Sequence, residues 1–151
     1  MKKLLYLTLI SVFLFTVVNA DAQFRSIPGA VTDSFKVRYP SATGVNWSSK
    51  IGSFQATFTL DKEKYTAKYN SKGEWQSSRK EIAKDALPSA VKDGLGKSKF
   101  SSSEWEVRTV TVIYMPGNIT QYNLLVAKND IQKRNLLFSS EGQLLKDGNT
   151  L

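Results

Sequence analysis

A nine-residue segment occurs twice in this 151-residue chain, and the two copies begin 60 residues apart. Ile27–Phe35 and Leu87–Leu95 share Pro, Ala, Val and Asp at equivalent positions. Each copy has apolar residues every four positions after a proline suited to a first helical turn, which predicts an amphipathic helix. The first helix should end before Pro40, because the residue preceding a proline avoids the α region. Gly94 and Gly96 should shorten the second.

The residues after the first copy alternate between apolar and polar, as in half-buried antiparallel strands. This alternation predicts strands over 54–60 and 64–69, joined by a tight turn at Asp61-Lys62-Glu63. Gly73 and Gly142 occupy equivalent hairpin turns that need a left-handed residue. These turns lie 69 residues apart, so the second half is longer than the first. We expect the hairpin with its tip at Met115–Asn118 to hold the additional residues.

These patterns predict an α+β fold made of two tandem helix-plus-antiparallel-strand units, about 23–82 and 83–151. Both helices should pack on one face of an antiparallel sheet, because this buries both apolar stripes. A chain of this length suits a single domain. Two alternatives stay open: the proline match could be a coincidence in one irregular domain, and the units could share one sheet or have separate ones.

The first 22 residues have the pattern of a secretory signal peptide. Lys2 and Lys3 precede an apolar run over 4–18, which is shorter than the roughly 20 residues that span a bilayer. Ala20 and Ala22 lie at the −3 and −1 positions of a cleavage site, which predicts a mature chain starting at Gln23. We therefore predict a periplasmic or secreted protein with no transmembrane segment after cleavage; an uncleaved anchor is the alternative.

The chain contains neither cysteine nor histidine, and this narrows its chemistry. Disulfides, thiolate nucleophiles, Ser-His-Asp triads and cysteine- or histidine-bound metals are excluded. Glu104 and Glu106 are the best-placed carboxylate pair, but charged pairs are common on the exposed side of a strand. The serines at 101–103 follow lysines in a loop pattern, and Gly94–Ser98 lacks the first glycine of a phosphate loop. We predict no enzymatic activity, no cofactor and no metal.

A formal net charge of +8 favours anionic partners. Nucleic acid is not expected, because the protein is predicted to be exported and its aromatic residues fall mainly on predicted core faces. Acidic glycans, anionic lipid surfaces and acidic proteins remain as candidate partners.

The sheet face turned away from the helices, which we name the open face, is a candidate interface. If residues 122, 124 and 126 face the helices, Leu125 lies on the open face. Leu136 and Leu137 are adjacent and must point to opposite faces of the sheet, so one of them also lies on the open face. Tyr114 shares the open face unless a bulge shifts its strand by one residue. The candidate partner-binding residues are Tyr114, Met115, Leu125, Leu137, Lys64 and Lys68.

The whole pattern resembles a known family. The signal peptide, the Pro-x-Ala-Val-x-Asp helix start, Tyr39-Pro40, Trp47, the strand pair and Gly73-x-Trp75 are similar to PepSY-like periplasmic proteins. Those proteins resemble the β-lactamase-inhibitor-protein (BLIP) fold, with tandem α/β units. The second half departs from the pattern, with Lys99-Phe100 in place of Tyr-Pro and Leu144 in place of tryptophan. The resemblance implies a binding or inhibitory module and carries over no catalytic residue.

The sequence therefore predicts an exported, non-enzymatic binding module, inhibitor-like by resemblance. It would present the open face to a protein or peptide partner in the cell envelope. The alternative is a cell-envelope module that binds anionic glycan or lipid headgroups through basic side chains such as Lys64, Lys68 and Lys128.

Overall fold

The computed structural model describes residues 26–149 of the protein. Within this range, two α-helices and eight strands follow one another in the order α1, β1–β4, α2, β5–β8, with a short 3-10 turn at Lys84–Ala86 before α2. The bounds are α1 Gly29–Arg38, β1 Thr43–Lys50, β2 Ser53–Leu60, β3 Glu63–Asn70, β4 Trp75–Ile82, α2 Ser89–Gly96, β5 Glu106–Met115, β6 Ile119–Ala127, β7 Lys133–Ser139 and β8 Leu144–Asn149.

The helices begin and end where the sequence places them. Pro28 and Pro88 immediately precede the first residues of α1 and α2. Helix α1 ends at Arg38, two residues before Pro40, so the predicted end is confirmed. Helix α2 has eight residues against ten in α1, as expected from the two glycines near its C-terminus.

All eight strands form one antiparallel sheet in chain order. The predicted hairpin between β2 and β3 is confirmed, and its turn consists of Asp61 and Lys62, both with positive φ. Strand β4 pairs with β5 from Ser78–Tyr114 to Ile82–Val110. The two halves therefore share one continuous sheet, which answers the question that the sequence left open.

Both helices pack on the same face of this sheet, as predicted. Ser78 on β4 pairs with Ala67 of the first half, and Ile82, four residues further along β4, pairs with Val110 of the second. Residues four apart on a strand point to the same side, so both apolar clusters lie on one face. The first cluster contains Val31, Phe35, Phe54, Ala56, Phe58, Ala67 and Tyr69. The second contains Leu87, Val91, Phe100, Val110, Leu124, Val126, Leu136 and Phe138.

Each helix start contacts the glycine of a hairpin in its own half. A Cβ built on Gly73 would lie 2.4 Å from the Ala30 carbonyl oxygen, and one on Gly142 would lie 2.0 Å from the Ala90 carbonyl oxygen. Ala30 and Ala90 are the alanines of the repeated segment. Such equivalent contacts are what a duplicated unit would produce, and the common origin of the two halves stays a prediction.

One expectation about length is wrong. The additional residues of the second half lie mainly in the α2–β5 connection, 97–105, where the α1–β1 connection is only 39–42. The β6–β7 turn, 128–132, is also longer than the β2–β3 turn, 61–62. Strand β5 and the tip at Pro116–Asn118 contribute less. The helix–strand connection tolerates this insertion because it runs outside the sheet.

The predicted signal peptide, residues 1–22, and the predicted start at Gln23 lie outside the described residues. Across residues 26–149, no helix is both long enough and apolar enough to cross a membrane.

Candidate functional site

The open face carries four of the six residues singled out from the sequence. Neither α-helix covers this face within residues 26–149, because both lie on the other side. Leu125 pairs with Thr109 and Asn135, and Leu137 pairs with Asn123, so both leucines lie on the open face and are half-buried. Lys64 and Lys68 alternate with the helix-facing residues of β3 and are exposed.

A shallow groove of about 470 Å³ runs across the open face of the second half. Its floor includes the apolar side chains of Ile113 and Leu137 and the amide side chains of Asn123 and Asn135. The Asn123 amide nitrogen donates to the Asn135 amide oxygen at 3.2 Å. Each amide retains further hydrogen-bonding capacity, so the groove combines an apolar surface with donors and acceptors.

The open face carries exposed cations. Lys64, Lys68, Arg79 and Lys146 are exposed, and none of the four forms an ion pair with another residue of the described range. Lys128, by contrast, lies just after β6 and pairs with Glu104, with Nζ 3.0 Å from Oε2. An acidic partner would therefore meet these four cations on this face.

The expected position of Tyr114 on the open face is wrong. Tyr114 pairs with Ser78, which is on the helix side. A β-bulge between Val107 and Thr109 shifts the register of β5, so both Val107 and Val110 pack in the second core cluster. Such a bulge moves every residue after it to the other face, and the prediction for Tyr114 holds only for a strand without one.

Tyr114 and Met115 instead line a cleft of about 790 Å³ that we name the aromatic cleft. It lies between the C-terminal end of α1 and the tip of the β5–β6 hairpin. Its aromatic side chains are Tyr39, Tyr65, Trp75 and Tyr114, and it is also lined by Arg38, Leu60, Ser78 and residues 115–120.

Buried Ser78 connects two of these aromatic residues. The Trp75 indole N–H donates to Ser78 Oγ at 2.7 Å, and the Tyr39 hydroxyl is hydrogen-bonded to the same oxygen. The Arg38 guanidinium lies over the Trp75 ring, 3.5 Å from its centroid. This network fixes the end of α1 against β4 and holds the wall of the cleft in place.

Sequence reasoning missed Arg38, Tyr39 and Trp75 as members of a common site. Of these three residues, only Trp75 could have been identified as a candidate from the sequence. A tryptophan beside a hairpin turn needs both an apolar contact and a hydrogen-bond partner. The long separation along the chain between α1 and the β5–β6 hairpin gave no indication that they meet.

The hydroxyl of Tyr69 is buried beneath this region without a hydrogen-bond partner among residues 26–149. Burial raises the pKa of the Tyr69 hydroxyl well above its ordinary value, and the nearby Tyr39 hydroxyl adds to this effect. A buried polar group without a partner costs folding free energy, because it loses its hydration and gains nothing in exchange.

We therefore expect Tyr69→Phe to raise the free energy of unfolding by about 1 kcal/mol. The matched control is Tyr39→Phe, which removes a hydroxyl that is hydrogen-bonded to Ser78. This substitution should lower the free energy of unfolding by a similar amount. Urea denaturation of both variants measures the difference. A loss of stability in Tyr69→Phe would show that its hydroxyl has a partner in solution.

The sequence candidates for catalysis are not brought together. Glu104 pairs with Lys128, whereas Glu106 pairs with Lys84 and Arg108. The described part of the chain has no group of three or more acidic side chains placed to hold a metal ion. The open face and the aromatic cleft thus offer shape, charge and hydrogen bonds, and the absence of enzymatic activity stays a prediction.

Several solved structures from Bacteroides share this architecture. A DUF2874 family protein from Bacteroides ovatus is 27% identical in sequence, with a TM-score of 0.74. The match covers 81% of this chain and 86% of the Bacteroides ovatus protein. A predicted periplasmic protein from Bacteroides eggerthii is also 27% identical, with a TM-score of 0.72 and coverage of 81% and 88%. A BLIP-like protein from Bacteroides fragilis is 24% identical, with a TM-score of 0.74 and coverage of 87% and 94%.

No protein-family model matches the chain, and no curated protein matches it either. The similarity to solved structures supports the BLIP-like fold, while the PepSY-like part of the resemblance is not confirmed. The fold does not decide the function, which must be argued from the surfaces.

Proposed function

We propose that this protein is an exported, non-enzymatic binding module that presents its open face to a protein or peptide partner in the cell envelope. The partner can be an enzyme that the module inhibits, which is the role that the BLIP-like resemblance implies. Export is supported by the signal-peptide pattern of residues 1–22 and by the periplasmic description of a structural neighbour.

The observation that carries this proposal is the apolar surface of Leu125, Leu137 and Ile113 on a face that neither α-helix covers. Leu125 and Leu137 are diagonal neighbours across β6 and β7, because each lies two positions from the residue that the other pairs with. Apolar side chains grouped on an uncovered sheet face mark an interaction site more often than scattered ones do.

The size of the open face also fits a protein partner. Eight strands spaced about 4.8 Å apart, each about 26 Å long, make a face of roughly 900 Å². A standard protein–protein interface buries about 800 Å² on each partner. The exposed cations of this face, including Lys64 and Lys68, favour a partner that has acidic residues as well as an apolar surface.

The test is a pull-down from periplasmic extract with the purified protein as bait. We expect the double variant Leu125→Asp/Leu137→Asp to lose at least nine-tenths of the captured partner, because two charges would be buried without partners. Its melting temperature should stay within a few degrees of the wild type, since both side chains lie outside the core clusters. Val37→Asp on α1, where Val37 is 84% exposed, is the matched control and should capture normally.

Salt separates this function from the alternative of anionic glycan or lipid binding. An apolar interface should keep its partner at about 0.5 M salt, where the Debye length is only a few ångströms. Binding through Lys64 and Lys68 alone should be lost there, and it should also be lost in Lys64→Glu/Lys68→Glu. Capture that depends on these lysines but not on the leucines would contradict the proposal.

A further inference from the structure

The aromatic cleft is distinct from the surface used in the proposed function. It lies on the helix side of the sheet, whereas the proposed partner surface is the open face. Its volume of about 790 Å³ is within the range of small-ligand sites. Its walls come from both halves of the chain, so a ligand held there would contact α1 and the β5–β6 hairpin together.

The strands that form the floor of the cleft can contact a ligand through their side chains, but their main-chain N–H and C=O groups are already used within the sheet. Ser78 pairs with Tyr114 across β4 and β5, and Tyr65 pairs with Lys80 across β3 and β4. These strands are internal to the sheet, so their N–H and C=O groups are already hydrogen-bonded. A peptide therefore cannot add here as an extra strand. Recognition must come from rings, hydroxyls and charged groups.

The side chains of the cleft combine apolar faces with polar edges. Tyr39, Tyr65 and Tyr114 are half-buried, and each brings a ring and a hydroxyl to the lining. Aromatic residues of this kind contact a ligand with one apolar surface and one hydrogen-bonding end. Sugar rings have the matching character, because their C–H faces stack on aromatic rings and their hydroxyl edges form hydrogen bonds.

Arg38 in the cleft and Lys80 beside it disfavour a cationic ligand and favour an anionic one. Arg38 lies over the Trp75 ring, and Lys80 Nζ lies 5.4 Å from the Tyr65 ring centroid, so cations already occupy these ring faces. Lys80 is paired with Glu63 at 2.5 Å. Arg38 forms no ion pair with any residue from 26 to 149.

We propose that the aromatic cleft binds an acidic oligosaccharide, whose sugar rings stack on Tyr39 and Tyr114 and whose carboxylate is held by Arg38. A guanidinium stacked on a ring keeps its N–H donors in its own plane, where two of them can bind one carboxylate. The formal charge of +8 attracts such a ligand over a longer range.

The experiment titrates the purified protein with trigalacturonate and, separately, with the neutral trisaccharide maltotriose. Calorimetry gives the affinities, and the NMR resonance of the Trp75 indole N–H reports on the cleft. We expect saturable binding of trigalacturonate, a shift of the Trp75 resonance, and binding of maltotriose at least tenfold weaker. Arg38→Gln should weaken trigalacturonate binding at least tenfold. Arg79→Gln, on the open face, is the matched control and should change it less than twofold.

A second variant keeps the test independent of Arg38. Tyr114→Leu removes a stacking ring and should weaken binding at least fivefold without moving the melting temperature by more than a few degrees. The proposal is overturned if trigalacturonate does not bind saturably, if maltotriose binds equally well, or if Arg79→Gln weakens binding as much as Arg38→Gln. Failure of this proposal would leave the proposed function of the open face standing, because the pull-down tests that separately.

Discussion

Replacing Gly73 with alanine is expected to lower the free energy of unfolding by more than 3 kcal/mol. Gly73 has a φ of +82°, a conformation that costs an alanine about 1–2 kcal/mol. The new Cβ would also lie 2.4 Å from the Ala30 carbonyl oxygen, which belongs to the first turn of α1. Neither backbone can move away without disturbing the helix or the hairpin. The unfavourable φ and the steric clash should therefore both lower the free energy of unfolding.

Gly52 provides the matched control for this substitution. Its φ of +72° is similar to that of Gly73, but a Cβ built there meets nothing within 4 Å. Gly52→Ala should therefore cost only the conformational part, about 1–2 kcal/mol. Urea denaturation with unchanged m-values would give the two losses directly. Equal losses at Gly52 and Gly73 would show that the helix is not held against the hairpin.

The second half should respond in the same way. Gly142 has a φ of +84°, and its Cβ would lie 2.0 Å from the Ala90 carbonyl oxygen. Gly142→Ala is thus expected to cost at least as much as Gly73→Ala. If Gly142→Ala left the free energy of unfolding nearly unchanged, the two halves would hold their helices against the sheet in different ways. That result would weaken the case for a duplicated unit.

The contact at Gly73 shows what could be predicted from the sequence and what could not. Local patterns placed the helix start after Pro28 and the left-handed glycine at the hairpin, because each depends on neighbouring residues. The contact of Gly73 with Ala30 depends on how the helix lies on the sheet. No local pattern contains that information.

The position of Tyr114 could not be predicted for a related reason. Alternation fixes which residues share a face only while the register is regular. The bulge between Val107 and Thr109 reverses the assignment for the rest of β5, and its sequence carries no glycine to mark it. Leu125 and Leu137 lie on strands where the alternation is unbroken up to their positions, so the same reasoning succeeded there.

The aromatic cleft is a product of tertiary structure in the same sense. The alternation of β3 puts Tyr65 on the core side of the sheet, and Tyr65 does pack against the first core cluster while also lining the cleft. A tyrosine can do both, because its ring can be buried while its hydroxyl reaches the surface. Sequence alternation distinguishes two faces of a strand, and it cannot distinguish a core from the wall of a cleft on the same face.

Phe58 connects the core to that cleft, and its removal should have the second large effect. Its ring lies 5.0 Å from Phe35, 4.7 Å from Tyr39 and 5.7 Å from Tyr65 between centroids. Phe58→Ala is expected to lower the free energy of unfolding by about 4–5 kcal/mol, because a large cavity forms and three aromatic contacts are lost. Domains have a total stability of about 5–15 kcal/mol, so a loss of this size could unfold the protein. Phe58→Leu is therefore the milder substitution, with an expected loss of about 1 kcal/mol in the free energy of unfolding.

Phe138 is the matched residue in the second half. It is as fully buried as Phe58 but has no aromatic ring pair among the described residues, so Phe138→Ala should cost about 3 kcal/mol. The two phenylalanines should also differ in function. Phe58 supports Tyr39 and Tyr65, so Phe58→Leu should weaken trigalacturonate binding severalfold, whereas Phe138→Leu should leave it unchanged. Equal effects on binding would indicate that the cleft responds to overall stability and does not depend on the packing beneath its tyrosines.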